Sequence, residues 1–185
     1  MAKALFITDK ELKQMTVLNG NLDPDKTKQF VIIAQDTHIY TYLGSNLFDK
    51  INNDIVAGTL SGNYLSLLNN YIKPMVIHWA MVEILPFSAY TIANKGVFKH
   101  SSENSVSVEK SEIDYLVEKE RQIAQNYTQK FIDYMIDNFT LFPEYYLANT
   151  GDTIPFMSAN FAGWYLPQNT GLERNDTGDY RYKND

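Results

Sequence analysis

Residues 75–93 read MVIHWAMVEILPFSAYTIA, an almost unbroken apolar run set between Lys73-Pro74 and Asn94-Lys95-Gly96. Its length approaches the roughly 20 residues that cross a bilayer. Either it spans a membrane, or the rest of the chain must be arranged around it. The contents favour the second reading. His78 and Glu83 lie inside the run, and Pro86 withdraws a backbone donor. A carboxylate at mid-bilayer costs about 2.5–3.5 kcal/mol even on a lenient insertion scale. The run is therefore expected to be the central helix of a bundle, reaching about Ala93, with Trp79 and Glu83 largely buried because no polar face is wide enough to meet water.

The flanking sequence supplies helices to surround it. Thr8-Asp-Lys-Glu11 is a capping box, and the helix it opens is expected to end near Asn19-Gly20. Asp23-Pro24 opens a second helix, with Asp as N-cap and Pro at the first helical position, running to Gly44 as its stop. Ser45 starts a third, whose Leu47, Phe48, Ile51 and Ile55 share one face and which Gly58 closes. A fourth begins at Ser61-Gly62-Asn63, and Pro74 either kinks it or starts a new segment. Beyond the apolar run, NKGVFKHSSENSVSVE has the composition of a projecting loop or small β-hairpin. From Ile113 to Met135 a helical stripe then runs through Leu116, Val117, Ile123, Ala124, Tyr127, Phe131 and Tyr134.

The helical period stops at Asn138, which sets the expected division: a helical domain over 1–138 and an extended arm over 139–185. The arm is not ordinary disordered filler, which is poor in aromatics. Phe142, Tyr145, Tyr146, Phe156, Phe161, Trp164 and Tyr165 recur there between Gly, Pro and Asn. The fold class is mainly α: a helical bundle with a projecting loop or hairpin and an extended C-terminal arm.

Composition narrows function mostly by exclusion. A net charge of -6 without any basic block argues against a chain whose main task is gripping nucleic acid. Cysteine is absent, so no disulfide, thiolate zinc site or thiol nucleophile exists. The N-terminus MAKALFITDKELK lacks the apolar core of a secretory signal, giving the expectation of an intracellular protein. Thirteen Tyr and ten Phe suit either a tyrosine-rich core or surfaces that meet partners.

Catalytic signatures are missing. There is no G-x-S-x-G, Walker-type loop, G-x-G-x-x-G or H-E-x-x-H, and no Glu is followed three residues later by His. His78 and Glu83 point to different faces of one helix, as do Asp36 and His38. Glu83 is read as paired with Lys, Arg, Tyr or His from another helix rather than as a general acid. No catalytic, metal or cofactor-binding residue is assigned.

The order QDTHIYTYLGSNLFDKI, YIKPMVIHWAMVEILPF, then NKGV with a SENS loop and a long charged helix, resembles the head-to-tail connector proteins of tailed bacteriophages, in particular those of crAss-like phages of Bacteroides-type hosts. The resemblance covers roughly residues 25–140 and carries no catalytic residues. It implies a subunit repeated in a dodecameric ring in the phage neck, under the portal protein, beside other neck or tail rings and around the genomic DNA, assembled in the host cytoplasm and without membrane contact. The loop residues Lys95, Val97 and Phe98 are candidates for contact with a neighbour. Phe156, Phe161, Trp164 and Tyr165 are candidates for docking of the arm. Two readings from other classes stand beside it: a metal-binding protein or enzyme on the same bundle, with His38, His78 and Glu83 drawn together, and a peripheral host-interaction protein using the aromatic arm.

Overall fold

The computed structural model describes residues 3–18, 22–88, 90–93, 96–99, 109–146, 153–158, 172–174 and 180–182. The chain is mainly helical. Helix α1, Asp9–Met15, opens on the complete capping box of Thr8 and Glu11. Lys73 reaches the same Glu11 carboxylate at 2.6 Å, so one acidic side chain caps α1 and ties it to the middle of the chain. Helix α2, Pro24–Ala34, has Asp23 as N-cap and passes through a π-turn, Gln35–Ile39, into α3, Tyr40–Ala57. The helical path of α3 breaks at Gly44 and closes at Gly58 in the left-handed conformation.

Helix α4, Gly62–Leu67, leads through a second π-turn, Leu68–Ile72, into α5, Lys73–Ser88. Pro74 explains this turn: it has no N–H for the preceding turn, and the widened turn bonds the Lys73 amide to the Leu68 carbonyl and carries the chain past the proline. Helix α5 buries Met75, Val76, Ile77, Trp79, Ala80, Met81, Val82 and Ile84 and packs chiefly on α6, Lys110–Asp137, and next on α2. Each large side chain among them contributes about 1.5–3 kcal/mol. At 16 residues α5 is short, and among the described residues no helix is long and apolar enough to cross a membrane.

Two sequence expectations need correction. The central helix stops at Ser88, not at Ala93, because Pro86 removes the donor for the Val82 carbonyl and the following Tyr-Thr-Ile favours strand. Strand β1, Tyr90–Ala93, pairs antiparallel with β2, Gly96–Lys99, in the register Tyr90↔Lys99 through Ala93↔Gly96. Glu83 is also less buried than expected, its side chain 29% exposed, whereas Trp79 is 2% exposed.

A third correction concerns the division at residue 138. The core continues past it: Phe139–Leu141 forms a 3-10 turn and α7, Pro143–Tyr146, follows. Phe142 and Tyr145 are fully buried, Phe142 edge-on to Tyr64 and Tyr145 edge-on to Phe131. The Tyr64 hydroxyl donates to Glu144 at 2.5 Å. Eight residues in two short turns are too few to show a helical period, yet they cap the end of the bundle. Farther on, strands β3, Leu172–Arg174, and β4, Tyr180–Tyr182, pair antiparallel with each other.

Candidate functional site

Two features stand out from ordinary packing: a belt of polar and aromatic side chains around α5, and the seat where the C-terminal segment meets the break in α3. In the belt, the π-turn before α3 presents His38 to α5. Its ring lies flat on the Trp79 indole, centroids 4.0 Å apart, and its Nε2 is 2.9 Å from Glu83 Oε1. Five residues before Glu83, His78 stacks on Tyr127 of α6 and pairs through Nδ1 with Glu120 at 2.9 Å. The Trp79 indole N–H donates to the Thr128 hydroxyl at 3.1 Å. Each histidine thus joins α5 to a different neighbour, as the divergence of His78 and Glu83 along one helix requires.

Burial pushes the His38 pKa below its ordinary value, the Glu83 carboxylate opposes that shift, and the nearby Arg121 charge reinforces it. Neutral imidazole is therefore the favoured form in the fold. Among the described residues no three His, Asp or Glu side chains converge where a metal ion could sit. His38 and Glu83 do come together, but His78 pairs elsewhere, so packing does not gather the three groups of the metal-site reading. Both histidine–carboxylate pairs tie one helix to another.

The second feature relocates one expected docking residue. Thr153–Ser158 lies extended on the bundle, with Phe156 half-buried against the core and its ring 6.2 Å from that of Tyr42. Phe156 was expected to anchor the arm on a partner, but its side chain packs on its own chain. The Pro-Phe step pairs with backbone groups at a helix break, and no periodicity reveals such a match. Phe161, Trp164, Tyr165 and Lys95 lie outside the described residues. Val97 and Phe98 belong to β2, opposite Ile92 and Thr91.

Outer faces carry exposed apolar groups, two of which, Leu116 and Ile123, the sequence reading placed in the helical stripe. Tyr115, Leu116 and Ile123 of α6 are exposed, as are Ile136 and Phe139 at its end. Ile123 shares a groove of about 340 Å³ with Lys119, Gln122, Asn126, Tyr127 and Lys130. The stripe was read too wide because a 28-residue helix outruns the 16-residue α5 against which it packs.

A family model described as a family of unknown function, DUF6712, matches residues 39–154. That is more than half of the chain, and the chain belongs to this family. The matched span runs from the π-turn of His38 to the segment seated at the α3 break. Neither the curated proteins nor the solved structures gave a significant match.

Proposed function

We propose that this member of the DUF6712 family is a structural assembly protein: a ring-forming connector of a tailed-bacteriophage neck, joining the portal to the tail and enclosing part of the DNA channel. Its partners are further copies of itself, twelve to a ring, the portal protein and adjacent neck or tail rings. The carrying observation is the series of exposed apolar side chains along α6, Tyr115, Leu116, Ile123 and Ile136, on the longest helix of the subunit. A subunit that closes a ring needs two lateral faces, and apolar groups of this size are what such faces bury. The spent state of the α5 belt agrees with a structural role, since its histidines and carboxylates tie helices together.

Lys95, with Val97 and Phe98 of β2, and the arm aromatics Phe161, Trp164 and Tyr165 are the remaining contact candidates, with Lys95 and the arm aromatics outside the described residues. Trp164 is the first to truncate, because interface energy concentrates in a few Trp, Tyr and Arg anchors. Trp164→Ala should cost about 2 kcal/mol or more at each interface. The test is imaging and native mass measurement of the purified chain with and without its cognate portal protein. Closed rings on the portal are the expected result. A chain that stays monomeric and unbound at high portal concentration overturns the proposal.

A further inference from the structure

At the break in α3, two backbone groups that would pair with each other in a continuous helix are both taken by the same distant segment. In a continuous helix the Ser45 amide would donate to the Thr41 carbonyl. Here Ser45 donates instead to the Thr153 carbonyl at 3.1 Å, and the Thr41 carbonyl accepts from the Phe156 amide at 3.0 Å. Residues 153–156 thus insert into the opened turn as a backbone-matched peptide. Pro155 has no N–H to leave unpaired where it crosses the break.

Gly44 makes the insertion possible. Its φ of 70° and ψ of 164° fall in a region essentially reserved for glycine. A Cβ at this position would lie 2.7 Å from both Cδ and Cγ of Pro155. Phe156 then covers the Tyr42 ring. Three independent features, the backbone exchange, the glycine conformation and the ring contact, converge on one short segment more than a hundred residues away in sequence.

We propose that the Gly44 break is a dedicated binding seat for an extended Pro-Phe peptide, occupied by the chain's own Thr153–Phe156, and that it fixes the point from which the C-terminal arm departs. Gly44 and Pro155 are positioning residues: they set the arm's origin. The consequence for ring assembly rests on the connector function proposed above; the seat itself does not.

The chain has no cysteine, so spin labels can be placed at Ser66→Cys and Met157→Cys alone. In the full chain the label distances should form a narrow distribution, and the Phe156 amide should be protected from hydrogen exchange. Gly44→Ala should broaden the distribution and speed Phe156 exchange at least about tenfold, the equivalent of one lost net hydrogen bond. Pro155→Gly with Phe156→Ala, which changes no helix residue, should broaden the distances in the same way and guards against misfolding of Gly44→Ala. Unchanged distances in both variants, or free exchange of the Phe156 amide in the parent chain, overturns the proposal. None of these readouts needs a ring, so failure to assemble on a portal counts against the connector function alone.

Discussion

The Trp79 indole N–H and the Thr128 hydroxyl meet at 3.1 Å, joining α5 to α6 inside the core, while the same hydroxyl donates to the Ala124 carbonyl at 2.8 Å. Trp79 also lies under His38, so one side chain packs against the helices on both sides of α5. Trp79→Ala should lower unfolding free energy by about 3–5 kcal/mol, the usual penalty for an aromatic cavity. Thr128→Val keeps the volume but orphans the indole N–H, at about 1–3 kcal/mol. Urea titration of both single variants and the double variant checks the pair; strictly additive losses would show the two residues are not coupled.

His38 gives stability a definite acid dependence. Its folded pKa is held below the ordinary 6.5, first by burial, with Glu83 opposing. Between the folded and unfolded values the unfolded chain binds more protons, so this contribution is complete above pH 6.5 and declines as pH falls towards the folded value. Glu83→Gln removes the charge that favours imidazolium, lowers the folded pKa further and should extend the decline to more acid pH. Unfolding titrations between pH 5 and pH 8 on both proteins check the sign.

The end of the core predicts opposite results for two truncations. A chain ending at Asn138 loses Phe142 and Tyr145, each fully buried. At about 3–5 kcal/mol per aromatic, the loss approaches the whole stability of an ordinary domain, about 5–15 kcal/mol. That chain should lose cooperative melting by circular dichroism. A chain ending at Ser158 keeps the cap and the seated segment, and should melt within a few degrees of the full-length protein.

Two tyrosines at the same end should respond differently to loss of the hydroxyl. Among the described residues the buried Tyr145 hydroxyl finds no hydrogen-bond partner, and burial raises its pKa. Tyr145→Phe should be neutral or stabilising by about 1 kcal/mol, since it removes an uncompensated polar group. Tyr64→Phe loses the bond to Glu144 and should cost about 1 kcal/mol. Chemical denaturation of the two variants reads the contrast directly.

Sequence alone determined the elements whose signals are local. Thr8 with Glu11, Asp23 with Pro24, and Gly58 each act within one turn, and each stands where its chemistry requires. The apolar run determined the burial of Trp79 and the central place of α5, because that helix has no polar face wide enough to turn wholly to water. What tertiary structure decided was every relation between distant residues. It chose Glu83 for His38 and Glu120 for His78, since neighbouring helices, not spacing along one helix, bring those groups within hydrogen-bond reach. It drew Phe142 and Tyr145 into the core, because the open end of a bundle is covered by whatever aromatic chain lies near it, with or without a period. Gly44 belongs to both sides. Its identity marks a stop that a sequence can announce, but the segment that fills the stop is joined to it through backbone hydrogen bonds, and backbone groups carry almost no sequence signal that would reveal the match.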